Sequence, residues 1–187
     1  MTVAYCDPNS DVAYTWSDDA ANDYARVNDA VRSPTSPATS GDGELCHAGP
    51  NDDNEEAAFG VTEPISSGTV SQIVLYAYMV STSGVGVELR VKLNGAWQSA
   101  GTVSVDTTGT WHTKTYSGSW NAATDIFPMQ VGIKPLTIGK SDDVDVYAAY
   151  VDLTYTAGPP PPPVEEIFPY SMFPPVYVPP PIEMVPY

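Results

Sequence analysis

Val85-Gly86-Val87-Glu88-Leu89-Arg90-Val91-Lys92-Leu93 is the stretch that decides the fold. Its odd positions are all apolar, and its even positions include Glu88, Arg90 and Lys92. In an extended chain successive side chains point to opposite faces, so this is a strand with one buried and one wet face. Asn94-Gly95 follows at once, and both residues tolerate the positive φ angles of a two-residue hairpin turn. The returning strand is expected over 96–100, running on to 105.

Outward from this hairpin, further strands are expected over 11–16, 57–61, 70–80, 111–116, 128–134 and 143–155. The run 70–80 holds Ile73, Val74, Leu75, Tyr76, Tyr78 and Met79, apolar enough to predict cover on both faces. Within 143–155, Tyr147, Ala149, Val151, Leu153 and Tyr155 alternate with Val146, Ala148, Tyr150 and Asp152. Asn121 is placed to cap one helical turn at 122–125. Residues 33–54, rich in Pro, Ser, Thr, Gly and Asp, read as a long surface loop. Short strands at regular spacing with turn signals between them specify an antiparallel sandwich or barrel. A chain of 187 residues suffices for one such domain with a real core.

Proline divides the chain. Twelve of the 19 prolines lie in residues 157–187, giving a β-rich body over 1–157 and an extended tail over 158–187. Proline fixes φ and removes a donor, which excludes helix and central strand and leaves polyproline II, with a reach of up to roughly 90 Å. Disordered linkers are polar, whereas this tail carries Ile167, Phe168, Tyr170, Met172, Phe173, Val176, Tyr177, Ile182, Met184 and Tyr187. Exposing that load to water invites aggregation. Phe168, Tyr170, Phe173, Tyr177 and Tyr187 are therefore expected to anchor in grooves of an adjacent subunit, with docking on the chain's own body as the alternative.

The net charge is −16, from 23 acidic and seven basic residues. Such a surface repels phosphate backbones and anionic membranes, so neither nucleic acid nor membrane is an expected partner. No run of 18 apolar residues is present, which excludes a spanning helix. Residues 1–8 carry neither a basic nor an apolar leader pattern, predicting folding in the cytosol.

No catalytic pattern stands out. The only histidines are His47 and His112, and no Gly-x-Ser-x-Gly elbow, phosphate loop or His-Glu-x-x-His occurs. The protein is expected not to be an enzyme. Cys6 and Cys46 could close a loop of about 41 residues as a disulfide, stabilising by roughly 4 kcal/mol, or remain buried thiols; both stay open. Asp52, Asp53 and Glu55 belong to an acidic stretch of the kind that supplies oxygen ligands to a structural calcium, with a solvated loop as the plainer reading. Trp97, Trp111 and Trp120 are candidates for stacking on sugar rings, against the commoner role of tryptophan in a sandwich core.

Several segments together carry a resemblance. They are Trp16 with Asp18, Asp19, Asn22, Asp23 and Tyr24; Val70-Ser71-Gln72-Ile73-Val74-Leu75-Tyr76-Ala77; and the Val87 to Leu93 strand with its turn. Gly109-Thr110-Trp111-His112-Thr113-Lys114-Thr115-Tyr116 and Trp120-Asn121-Ala122-Ala123-Thr124-Asp125-Ile126 follow. Met129-Gln130-Val131-Gly132-Ile133 and Val144-Asp145-Val146-Tyr147-Ala148-Ala149-Tyr150-Val151-Asp152-Leu153 close the series. In this order they resemble a jelly-roll domain of structural proteins from tailed bacterial and archaeal viruses. The resemblance covers 14–156 and implies an all-β, antiparallel jelly-roll-like β-sandwich, here with a proline-rich C-terminal tail. It further implies a virion accessory protein, a decoration or cementing subunit at the virion surface. Its partners would be a major capsid or tail protein and copies of itself in a homo-oligomer. Similar sandwiches serve as carbohydrate-binding and cell-surface modules. The alternative is therefore an extracellular glycan-binding or adhesion module with the tail as spacer.

Overall fold

The computed structural model describes residues 1–14, 16, 27, 45–50, 52 and 54–158. Among them ten strands form two antiparallel sheets around a shared apolar core. The strands are β1 (Thr2–Cys6), β2 (Pro8–Tyr14), β3 (Cys46–Ala48), β4 (Ala57–Val61) and β5 (Thr69–Ser81). They continue as β6 (Val85–Leu93), β7 (Ala96–Val105), β8 (Thr110–Asn121), β9 (Gln130–Pro135) and β10 (Val144–Thr156). Sheet A has the order β1-β10-β5-β8, with β3 also paired to β10; sheet B has the order β2-β4-β9-β6-β7. This is the expected β-sandwich.

The deciding strand behaves as its pattern dictates. In β6, Val85, Val87, Leu89, Val91 and Leu93 are buried, and the residues between them are half-buried. Asn94 (φ 48°) and Gly95 (φ 74°) supply the turn, and β7 returns all the way to Val105. Asn121 caps the short π-helix Ala122–Ile126, its Oδ1 accepting from the Ala123 N–H at 2.9 Å. The Asn94 N–H donates to the Asp125 carbonyl at 2.9 Å, tying that helix to the hairpin.

Three expectations need correction, and one open alternative is decided. The stretch 33–54 is not a loop throughout, because Cys46–Ala48 pairs with Val144–Val146 as β3. β5 is not covered on both faces: Ile73, Leu75, Ala77 and Met79 are fully buried, whereas Val74, Tyr76, Tyr78 and Val80 are half-buried. The alternation expected over 143–155 breaks at a bulge between Val146 and Ala148. The Cys6–Cys46 disulfide is not formed. Both residues are buried thiols, and β1 and β3 place them opposite Val151 and Val146 of β10. That offset of five residues is about 16 Å along a strand, far beyond the Cα separation a disulfide spans.

Of the acidic residues considered for calcium, Asp52 and Glu55 are among those described. Asp52 is buried, and its carboxylate accepts from the Gly49 N–H at 2.7 Å, closing a turn. Asp53 lies outside the described residues. Among those described, no group of three or more metal-ligating side chains exists. Also outside the description are Asp18 to Tyr24 and the tail anchors Phe168, Tyr170, Phe173, Tyr177 and Tyr187.

Tyr116 bridges the two sheets. Its hydroxyl donates to the Leu89 carbonyl at 2.6 Å, and burial, aided by the Glu88 carboxylate, pushes its pKa up to about 12. The fold therefore favours the neutral phenol. That contribution is complete below the ordinary value of 10.0 and is lost as pH rises through the folded value. Denaturant midpoints are expected to fall between pH 10 and about 12. Tyr116→Phe should flatten the decline and cost about 1 kcal/mol at neutral pH; an unchanged alkaline slope would contradict the assignment.

Candidate functional site

The outer face of sheet A gathers the aromatic rings. On β5, Tyr76 and Tyr78 point away from the core because their neighbours Leu75, Ala77 and Met79 point into it. Residues directly opposite in an antiparallel pair share a face. Trp111 of β8 stands opposite Tyr78, and Tyr150 of β10 stands opposite Tyr76. Tyr147 would fall on the inner face if β10 alternated regularly. The bulge adds one residue and brings Tyr147 out beside Tyr78.

The rings touch one another as well as the sheet. Tyr76 and Tyr150 stack with centroids 4.6 Å apart and planes at 15°. Trp111 meets Tyr150 edge-on at 5.3 Å and Tyr78 at 5.5 Å, with interplanar angles of 68° and 71°. Tyr147 meets Tyr78 at 6.1 Å and 75°. All five remain half-buried, so each keeps part of its surface toward solvent. Ala148 is only 2% exposed yet is not part of the core between the sheets. It stands opposite Tyr78, under the rings.

Polar groups flank this cluster. Tyr5, exposed at 53%, pairs with Asp152 toward the C-terminal end of β10's outer row. At the other end His47 Nδ1 meets Asp145 Oδ1 at 2.7 Å, because β3 aligns the two residues. The row through Tyr5, Asp152 and Val74 lies four residues along β5 from the row through Tyr78 and Trp111, about 13 Å. Burial, then the Asp152 carboxylate, raises the pKa of Tyr76. Burial, then Asp145, raises that of Tyr147. Both phenols thus stay neutral donors at ordinary pH.

The three candidate tryptophans do not share a surface. Only Trp111 joins the tyrosines. Trp97 lies on the outer side of sheet B, opposite Lys92, with the Arg90 guanidinium 4.9 Å and Lys92 Nζ 5.6 Å from its ring centre. Arg90 is itself held by Glu56, with Nη2 to Oε1 at 2.5 Å and Nε to Oε1 at 3.1 Å. Cations already occupy that indole. Trp120 is half-buried and packs against the core. His112 faces the opposite way from Trp111, opposite Ala77, and burial lowers its pKa.

A cleft of about 310 Å³ beside the β6–β7 turn is lined by Lys92, Phe127 and Gln130 among others, and the Gln130 side-chain carbonyl is buried there without a hydrogen-bond partner. It belongs to sheet B and contributes a single aromatic ring. Sequence reasoning missed the tyrosines. Their signal was present as Tyr76-x-Tyr78 within a strand, two rings on one face.

No family model and no curated protein matches the sequence. Solved structures do resemble it in part. The CBM22-1–GH10 modules of Clostridium thermocellum endo-1,4-β-D-xylanase 10B, complexed with xylohexaose, are 11% identical with a TM-score of 0.44, covering 64% of this chain and 24% of that one. The CBM22-1 xylan-binding domain of Paenibacillus barcinonensis Xyn10C is 9% identical, with a TM-score of 0.40 and coverages of 60% and 74%. The N-terminal cellulose-binding domain of Cellulomonas fimi β-1,4-glucanase C is 16% identical, with a TM-score of 0.36 and coverages of 64% and 86%. At these values the likeness assigns no ligand. The structures named are carbohydrate-binding modules, and a resemblance to viral structural proteins is not shown among them.

Proposed function

We propose that this protein is a non-catalytic glycan-binding module whose site is the outer face of sheet A. The observation that carries it is the half-buried cluster of Tyr76, Tyr78, Trp111, Tyr147 and Tyr150. The C–H faces of pyranose rings are apolar and bury well on aromatic surfaces, while their hydroxyls need polar partners. Asp145 and Asp152 accept such hydroxyls, and the tyrosine phenols donate and accept. With a net charge of −16 the protein repels anionic chains at long range. The ligand is therefore a neutral polysaccharide, not one bearing uronic acids or sulfate.

Affinity electrophoresis against soluble neutral and acidic polysaccharides tests this. A neutral polymer is expected to retard the protein, and Tyr76→Ala/Tyr150→Ala to run unretarded. If no neutral polymer retards the wild type, or the double variant is retarded equally, glycan binding at this face is wrong. A virion decoration or cementing subunit is the second reading. It is favoured by the apolar, proline-stiffened composition of 158–187, which lies outside the described residues past Gly158.

A further inference from the structure

The aromatic face suits a second kind of ligand. Flat clusters of tyrosine and tryptophan on β-domains also receive polyproline II segments, which arrive stiff, apolar and without internal hydrogen bonds to break. This chain carries such a segment itself. Residues 159–187 contain 12 prolines with Phe168, Tyr170, Phe173 and Tyr177 among them, and no basic residue. That composition matches an aromatic groove, and offers no cation to Asp145 or Asp152.

Chain length and departure point make the match intramolecular. β10, which carries Tyr147 and Tyr150, ends at Thr156, and Gly158 lies against Gly68 beside the start of β5. From Thr156 back to Tyr150 is six residues of strand, and to Tyr147 nine, so roughly 20 and 30 Å. Phe168 and Phe173 follow Gly158 by ten and fifteen residues, roughly 31 and 46 Å of polyproline II. A chain that reverses after Gly158 thus carries these rings as far as the Tyr150–Tyr147 stretch. A tether of this length holds the segment at a local concentration on the order of millimolar, which a free second copy does not reach.

We infer that residues 159–187 dock on the Tyr76–Tyr78–Trp111–Tyr147–Tyr150 face of their own chain. The docking concerns the same face as glycan binding but does not depend on it.

Chymotryptic cleavage of the full-length protein, without saccharide, tests the docking. Tyr170–Ser171 and Tyr177–Val178 are cleavable bonds not followed by proline, and mass spectrometry reads each cut. With a dissociation constant of about 0.1 mM, a local concentration near 1 mM slows cleavage about tenfold relative to the free peptide 159–187. Tyr76→Ser/Tyr150→Ser is expected to bring the rate back to that of the peptide. Phe168→Ser/Phe173→Ser, compared with its own peptide, should do the same while leaving the body untouched. Wild-type cleavage at the peptide's rate overturns the proposal, as does protection that survives both double substitutions. Protection that grows with protein concentration also overturns it, since the tail would then dock on a second copy.

Discussion

Trp111→Ala is expected to weaken glycan binding by at least about thirtyfold, roughly 2 kcal/mol, the loss typical of a central aromatic anchor. Trp111 is wedged between Tyr78 and Tyr150 at 5.5 and 5.3 Å. Removing it deletes the largest stacking surface and frees two neighbouring rings to turn away from their present tilt. Trp97→Ala should leave affinity unchanged, because Trp97 belongs to sheet B and lies under Arg90 and Lys92. Trp120→Ala should lower stability through lost core packing and leave the affinity of the folded protein alone. Isothermal titration with a retarding polysaccharide, paired with thermal melts, separates the three. Loss of binding in Trp97→Ala with retention in Trp111→Ala would place the site on the wrong sheet.

The sandwich was legible where a strand has one wet face. β6 shows its burial directly in sequence, because Glu88, Arg90 and Lys92 mark the outside, and the Asn94-Gly95 turn fixes the register of β7. β4 and the capped turn at Asn121 were legible for similarly local reasons. β5 was not. Its outward residues are tyrosines and valines, which composition alone does not distinguish from core, so the face that carries the candidate site read as doubly buried. The second obstacle was the bulge in β10. A single inserted residue reverses the parity of every side chain beyond it, and nothing local in Val146-Tyr147-Ala148 announces one. Regular alternation would have set Tyr147 and Tyr150 on opposite faces. The structure sets them on the same face. Pairing with β5 imposes this, and such long-range pairing is invisible to periodicity. β1 and β3, both short strands on the edge of β10, escaped notice for the same reason.

Phe59→Ala is expected to cost about 3–5 kcal/mol, the range for deleting a fully buried aromatic ring whose space the surroundings refill only in part. Phe59 is 0% exposed and sits mid-strand in β4, opposite Val131 of β9 and Asp11 of β2. Domains are stable by only about 5–15 kcal/mol, so the midpoint of thermal unfolding should drop by roughly 10–15 °C in a domain of this size. Tyr150→Ala provides the contrast. Its ring lies outside the core, and losing the stacked contact with Tyr76 should cost only about 0.5–1.5 kcal/mol. The two variants should therefore invert each other's effects. Phe59→Ala, assayed well below its midpoint, should bind glycan within about twofold of wild type, since the site is built from β5, β8 and β10 and distant substitutions act independently. Tyr150→Ala should melt near wild type and bind poorly. If folded Phe59→Ala loses binding as Trp111→Ala does, the aromatic face takes its shape from sheet B packing rather than from the pairing within sheet A.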